Sequence, residues 1–196
     1  FNKVCGSSLK TAMLSAQAIK AGDGQLFVAG GMESMTRAPY LVPGRTGELR
    51  YGHTPLKDSL LHDGLWDPFE DWAMGNAADF IAEEFEVTRE AMDRFAVESN
   101  QKSAAAIDAG KFKAEIVPVE IPQRKGDPIV IDTDEGPRAD IALEKLAKLK
   151  PVFDRPFGKI TAGNSAQITD GAVYMVAGKS HNSIVRIDGL ESLRRL

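Results

Sequence analysis

The chain has 196 residues, 43% hydrophobic and 27% charged, a balance typical of a folded globular protein and not of a disordered one. Its formal net charge of -4 argues against nucleic acid as the main partner, because phosphate backbones are usually bound by basic surfaces. The single cysteine excludes an internal disulfide framework and indicates a reducing, cytoplasmic location, and no apolar run approaches the ~20 residues that span a bilayer.

The only cysteine, Cys5, precedes the first predicted helix. Gly6, Ser7 and Ser8 form a bend of small residues, and from Leu9 apolar residues recur at three- and four-residue steps, the period of one helix face. Unpaired N–H groups and the positive end of the dipole at a helix start favour a thiolate over a thiol. The pattern therefore predicts that Cys5 is an activated nucleophile. The alternative is structural, since a lone intracellular cysteine is often a small buried hydrophobe.

The segment after this helix predicts a short buried strand over residues 25–31, following a helix stop in residues 21–24. A helix followed by a buried strand indicates an α/β layer with a parallel sheet. The strand ends in Gly30 and Gly31. We interpret this pair as a place where backbones pack closely, because no Gly-x-Gly-x-x-Gly spacing of a phosphate site follows.

Residues 35–71 form a long excursion, interrupted throughout by glycine and proline. Loops of this length in compact proteins are usually functional or disordered. Aromatic side chains recur along and just after this segment, and they predict a packed excursion instead of a disordered one: Tyr40, Tyr51, Trp66, Phe69 and Trp72.

Helical periodicity returns after residue 73. One helix face carries a set of apolar residues: Met74, Ala77, Ala78, Ile81 and Phe85. Thr88 is a typical N-cap for a second helix, which runs to about Ala109 and stops at Gly110.

The remaining elements are shorter. Residues 117–121 and 129–131 predict two strands joined by a turn. Asp140 is a candidate cap for a short helix that Pro151 ends. Residues 161–172 form a polar, glycine-bearing turn, and an apolar run follows it.

Four separate segments resemble the thiolase family, in the order in which that family has them. They are the cysteine segment 2–10, the glycine-rich segment 30–39, and the later segments 150–154 and 161–172. The resemblance extends from the first residue to about residue 176. It is similar in character to the acetyl-CoA acyltransferases of fatty-acid degradation (beta-oxidation), and the acetoacetyl-specific branch, the acetyl-CoA acetyltransferases, stays open.

The resemblance implies an α/β, thiolase-like fold, with part of the N-terminal core domain plus the inserted loop domain. Residues 1–36 would form the core segment with the nucleophile, 37–168 the CoA-binding loop domain, and 169–196 the return to the core with a divergent tail. Complete thiolases associate through their core domains, which implies a homodimer or homotetramer for the complete protein.

The family mechanism implies that Cys5 attacks a 3-ketoacyl-CoA, holds the acyl group as a thioester, and passes it to CoA. No metal or other cofactor is implied, and CoA is a substrate. Six residues correspond by motif position to CoA contacts: Leu65, Met74, Arg138, Phe153, Ala162 and Ile168. Arg138 would meet a phosphate or stack on the adenine, and Met74 would face the acyl group. Each also has an ordinary interpretation as a core or surface residue.

The chain differs from the family at the residues that transfer protons. Thiolases use a histidine in a His-Pro context and a second cysteine, and neither motif is present; the three histidines are His53, His62 and His181. We therefore expect a piece of a longer protein that does not complete a catalytic cycle alone. The alternative is a non-catalytic, thiolase-like module that binds CoA or lipid or serves in assembly.

Overall fold

The computed structural model describes residues 1–42, 44, 51–178 and 185–186. Within these residues the helices are α1 (Ser7–Ala21), α2 (Met74–Glu84), α3 (Arg89–Asp108) and α4 (Leu143–Leu146). The strands are β1 (Leu26–Ser34), β2 (Tyr40–Leu41), β3 (Lys57–Asp58), β4 (Trp66–Asp67), β5 (Trp72–Ala73), β6 (Val119–Ile121), β7 (Ile129–Ile131), β8 (Asp170–Gly178) and β9 (Val185–Arg186). The mixture of helices and strands agrees with the predicted α/β class.

The chain divides into two compact units. The first comprises Phe1–Glu33, Lys102–Pro137 and Gly171–Leu196, and the second comprises Ser34–Gln101 and Arg138–Asp170. Contacts thus group the β6/β7 hairpin with the first unit, whereas the sequence placed it in the loop domain. The domain division at residues 36 and 168 stays a prediction. Most of the predicted tail, 179–184 and 187–196, lies outside the described residues.

The sheet of the first unit has the strand order β1-β8-β9. β1 and β8 run in opposite directions, because Gly178 lies against Leu26 at one end and Gly30 lies against Tyr174 further along. The predicted parallel sheet is therefore wrong for this pair. The chain leaves β1 for the second unit and re-enters β8 beside the point where it left, so the two strands must be antiparallel.

The prediction that residues 25–31 form a buried strand holds for only one of its faces. Ala29 is buried, whereas Leu26, Val28 and Met32 on the alternate face are exposed. Alternation along a strand sends successive side chains to opposite faces. The apolar run indicated the strand correctly and overestimated how much of it is covered.

The ends of α1 and α3 are where the capping and glycine residues of the sequence predicted them. Gly22 follows α1 at φ 86° and Gly110 follows α3 at φ 67°, both in the left-handed region that glycine tolerates. Thr88 caps α3, since its Oγ1 accepts the Ala91 N–H at 3.1 Å. These three predictions are confirmed.

The predicted cap at Asp140 is wrong. The residue before α4 is Ala142, which offers no side-chain hydrogen bond. The Asp140 carboxylate instead accepts from Lys145 Nζ at 2.8 Å. That hydrogen bond and the Lys145 charge hold the pKa of Asp140 below its usual value, and the Arg138 charge contributes less. The Asp140 carboxylate thus pairs with the ammonium group of Lys145 and does not cap α4.

The excursion is built from two small hairpins, β2/β3 and β4/β5, with a π-helical turn, Leu60–Leu65, between them. The expectation that its aromatic residues pack is met by Trp72, which is half-buried and lies 5.5 Å from the Phe80 ring. It is met in part by Trp66, which is 37% exposed and donates from Nε1 to Asp71 Oδ1 at 3.1 Å. Tyr51 and Phe69 are almost fully exposed. Residues 43 and 45–50 lie outside the described residues.

Helix α2 is covered on only part of the face that its apolar pattern indicated. Met74, Ile81 and Phe85 are exposed, Ala77 and Ala78 are half-buried, and Ala82, one turn after Ala78, is buried. Periodicity marks an apolar stripe, but only tertiary packing decides which side is covered.

Asp170 joins the two ends of the second unit. Its carboxylate accepts the Thr36 backbone N–H at 3.0 Å and the Thr36 hydroxyl at 2.5 Å, and Ser34 Oγ donates to it at 3.3 Å. These residues stand where the chain enters and leaves the unit. The hydroxyl of Thr36, then its backbone N–H, hold the pKa of Asp170 below its usual value.

Replacing Asp170 with asparagine should therefore lower stability only at pH values where the aspartate is charged. A carboxyl whose pKa is lowered by folding stabilises the protein above its unfolded-state pKa, and this contribution disappears as the pH falls through the folded-state pKa. In urea unfolding, the difference between wild type and Asp170→Asn should be present at neutral pH and shrink below a pH of about 4. A difference that does not depend on pH would contradict this assignment.

Candidate active site

Cys5 lies in a 3₁₀ turn, Val4–Gly6, that leads directly into α1 at Ser7. Its side chain is exposed. The first turn of α1 carries no acidic side chain that would oppose the positive end of its dipole. The predicted position of Cys5 at a helix start is what the structure has, and the buried, purely structural alternative does not hold. Its role as a nucleophile stays a prediction.

The turn that contains Cys5 is strained at Val4, the residue before Cys5. Val4 has φ 51°, in the left-handed region, which costs a β-branched residue roughly 1–3 kcal/mol. Asn2 Oδ1 accepts the Val4 N–H at 2.7 Å, and the Ser7 hydroxyl donates to the Val4 carbonyl at 2.8 Å. The sequence analysis did not identify these contacts.

The two glycines of β1 each face a different neighbour at close range. A Cβ on Gly31 would overlap Ser8 Oγ of α1, and one on Gly30 would overlap the Val173 carbonyl oxygen of β8. Thr11 Oγ1 completes the contact by donating to the Gly30 carbonyl at 3.0 Å. The interpretation of the glycine pair as a site of close backbone packing is confirmed. The close contact between Gly31 and Ser8 sets the distance between α1 and β1.

The six predicted CoA contacts all lie in the second unit, whereas Cys5 lies in the first. Three of them are placed by neighbouring residues. The β4/β5 register pairs Trp66, which follows Leu65, with Ala73, which precedes Met74. The Phe153 ring packs on Gly75, the residue after Met74, because a Cβ there would overlap three of its ring atoms. Leu65 is half-buried, and both Met74 and Phe153 are exposed.

The other three lie elsewhere in the second unit. Arg138 is exposed, and its backbone N–H donates to Asn100 Oδ1 on α3 at 2.8 Å. Ala162 is exposed in the turn that begins at Thr161, and Ile168 is exposed near the end of the unit. Their exposure leaves them accessible to a ligand, and their roles stay predictions.

A buried polar network supports the Ala162 turn. Asp93, only 3% exposed, accepts from Arg89 Nε at 2.8 Å and from Asn164 Nδ2 at 3.0 Å. Asn164 Oδ1 in turn accepts the Thr161 N–H at 2.8 Å, which holds the turn closed. This network was not predicted from the sequence. The Arg89 and Asp93 spacing of four residues was the available signal.

Histidines and metal ligands add nothing to the site within the described part of the chain. His53 and His62 are exposed, and His62 Nδ1 lies 2.7 Å from Asp63 Oδ1. His181 lies outside the described residues. Among residues 1–42, 44, 51–178 and 185–186, no three His, Cys, Asp or Glu side chains cluster as metal ligands would. In the same residues no helix is both long and apolar enough to cross a membrane.

Comparison with known proteins gives one consistent result. The family model described as "Thiolase, N-terminal domain" matches residues 1–180. An acetyl-CoA acetyltransferase of Pseudomonas aeruginosa is 54% identical over 175 residues, covering 89% of this chain and 44% of its own length. A probable acetyl-CoA acyltransferase of Staphylococcus epidermidis is 47% identical over the same shares.

A solved structure agrees with these matches. The crystal structure of the Bacillus anthracis acetyl-CoA acetyltransferase superposes with a TM-score of 0.83 at 33% identity, covering 100% of this chain and 46% of the other. The chain spans about half the length of the curated relatives it matches.

Proposed function

Since this chain belongs to the thiolase family, we propose that it supplies the nucleophile and part of the CoA site of a CoA-dependent acyltransferase. The reaction is cleavage of a 3-ketoacyl-CoA by CoA, or in reverse the condensation of two acetyl-CoA molecules. The observation that carries the proposal is the exposed residue Cys5 directly before α1, within a segment that matches the family.

The first chemical step uses groups of the first unit. The Cys5 thiolate attacks the keto carbon, a carbon–sulfur bond forms, and the bond between the α and β carbons breaks. The electron pair of that bond leaves with acetyl-CoA, which takes up a proton. The helix start favours the thiolate before attack, and its N–H groups are suitable donors to the oxyanion.

The second step releases the acyl group. A CoA thiolate attacks the thioester carbon, and Cys5 leaves as a thiolate. The proton transfers of both steps need an acid and a base, which thiolases take from a His-Pro histidine and a second cysteine. This chain carries neither, so we assign those roles to residues beyond its sequence.

CoA binding belongs to the second unit in this proposal. The apolar side chains of Leu65, Met74 and Phe153 are assigned to the pantetheine arm, which needs apolar walls. Arg138 provides a cation for the phosphates or a planar group for the adenine. Association as a homodimer or homotetramer and a cytoplasmic location are further parts of the proposal.

The proposal predicts that Gly75→Ala weakens CoA binding. The added methyl group would displace the Phe153 ring, one of the proposed pantetheine contacts. We expect the Kd from calorimetric titration with CoA to rise about tenfold. Gly64→Ala is the matched control, since a Cβ there meets nothing within 4 Å although it neighbours Leu65. Absence of saturable CoA binding by the wild-type chain would contradict the proposal.

The second candidate is a CoA-binding module without catalysis. The observation that favours it is the absence of a His-Pro motif and of a second cysteine from the sequence. Both candidates predict CoA binding. They differ in whether Cys5 accepts an acyl group.

A further inference from the structure

We propose that Asp79 is a positioning residue for CoA binding. Its carboxylate anchors the loop of residues 151–160 to α2 and thereby holds the Phe153 ring in place. The inference rests on the proposed function, in which Phe153 contacts the pantetheine arm. It assigns a role to a side chain that the family resemblance did not single out.

The loop 151–160 has neither helix nor strand, and its two ends are joined by the backbone. The Val152 N–H donates to the Ile160 carbonyl at 3.0 Å, and the Gly158 N–H donates to the Asp154 carbonyl at 2.6 Å. Compact loops of this length with joined ends behave as one packed unit. Anchoring the Ile160 end therefore also restrains the end that carries Phe153.

Asp79 provides the anchor at the Ile160 end. Its Oδ1 accepts the Lys159 N–H at 2.6 Å and the Ile160 N–H at 3.0 Å. Ile160 is only 6% exposed, so water has little access to replace the carboxylate as an acceptor. Asp79 Oδ2 and the Asp154 carbonyl occupy the space that a Cβ on Gly158 would need, each 2.7 Å from that position. The carboxylate therefore lies directly against the backbone of the loop.

The Phe153 ring is held on the same face of the same helix. It packs on Gly75, which lies four residues before Asp79 on α2, and residues at this spacing share a helix face. A closed path of contacts results. It runs from Asp79 to Ile160 by one hydrogen bond, from Ile160 to Val152 by another, and from the adjacent Phe153 back to α2. Removing the Asp79 acceptor opens this path at its only charged member.

The Lys159 side chain is a second link between the loop and α2. Its Nζ donates to the Ala82 carbonyl at 3.1 Å and lies 2.9 Å from Glu83 Oε2. The Glu83 side chain is 81% exposed, so solvent screens this ion pair. The link also runs through a long, flexible side chain, whereas Asp79 holds the loop backbone itself. We therefore assign the positioning of Phe153 to Asp79 and not to Lys159.

The test combines calorimetric titration of CoA with hydrogen exchange of the Val152 amide in Asp79→Ala. We expect the Kd for CoA to rise about tenfold, because the arrangement that binds becomes a minor population. Without CoA, the Val152 N–H should exchange about tenfold faster. This amide is informative because it bonds to Ile160 and not to Asp79, so it reports the loop and not merely the lost acceptor.

Thr88→Ala is the matched control, since Thr88 Oγ1 also accepts a backbone N–H in the second unit, outside the loop. It should lower stability in urea but keep the Kd and the Val152 exchange rate within about twofold of wild type. A merely structural role of Asp79 would give the same result. Asp79→Asn keeps a neutral acceptor and should raise the Kd about threefold, which preserves the test if Asp79→Ala does not fold.

The outcomes separate this inference from the proposed function. A wild-type Kd in Asp79→Ala, or in Asp79→Asn if only that variant folds, would overturn the inference alone. So would an unchanged Val152 exchange rate, since the loop would then not depend on Asp79. Absence of saturable CoA binding by the wild-type chain would overturn the proposed function, and the role of Asp79 in CoA binding with it.

Discussion

Replacing Gly30 with alanine is expected to lower the free energy of unfolding by about 3 kcal/mol. The added Cβ would overlap the Val173 carbonyl oxygen and come within 3.0 Å of Tyr174 Cα. Both are backbone atoms of β8, so no side-chain rotation relieves the clash. The two strands must separate, and β1 also carries α1 through the Thr11 hydrogen bond. Urea unfolding followed by circular dichroism measures the loss.

A matched control lies on the partner strand. Gly171, near the start of β8, has nothing within 4 Å of the position its Cβ would take, and its φ is not positive. Gly171→Ala should leave stability unchanged or raise it by a few tenths of a kcal/mol, because alanine reduces the entropy of the unfolded chain. Equal effects of the two substitutions would contradict the close approach of β1 and β8.

Asp93→Asn is expected to cost about 3 kcal/mol, a second large effect and one confined to the second unit. The Asp93 and Arg89 side chains are 5% and 20% exposed. The substitution leaves the Arg89 guanidinium without its charge partner and sets an amide N–H against another donor. Asn164 also loses a charged acceptor, so the turn that carries Ala162 should loosen. Urea unfolding gives the stability, and CoA titration should show weaker binding.

The control for this substitution is an ion pair on the surface. Asp140 and Lys145 are 81% and 65% exposed, although their atoms are as close, at 2.8 Å, as those of the buried pair. Asp140→Asn should give no measurable change in urea unfolding at neutral pH, because solvent screens exposed pairs. A large loss from Asp140→Asn would show that burial does not govern these pairs.

Sequence reasoning succeeded where the chemistry is local. Gly22 and Gly110 end their helices by supplying a positive φ, and Thr88 starts one by accepting an N–H three residues on. The position of Cys5 at a helix start belongs to the same class, since small residues and apolar periodicity are both visible within fifteen residues of it. The family was also predicted correctly, from the four thiolase-like segments.

Sequence reasoning failed where partners are distant along the chain. The direction of β8 relative to β1 depends on where the chain re-enters the sheet, and the 135 residues from 35 to 169 separate the two strands. Asp170 and Thr36 are 134 positions apart, and Asn164 and Asp93 are 71 apart, so no local pattern pairs them. The buried face of α2 was not predicted correctly for a related reason. Periodicity shows which face of a helix is apolar, but not which face another element packs against.

The measurement that tests the central claim most directly is acetyl transfer from acetyl-CoA to Cys5. This half-reaction is the reverse of the second step: a Cys5 thiolate forms the thioester and CoA leaves as a thiolate. No carbon–carbon bond breaks and no proton moves between the two thiolates, so the acid and base of the full cycle are not required. Mass spectrometry of the folded chain should find an acetyl group on the Cys5 peptide, removable by hydroxylamine, and none on Cys5→Ser. A chain that binds CoA but never acquires this acetyl group would contradict the account and leave the non-catalytic module in its place.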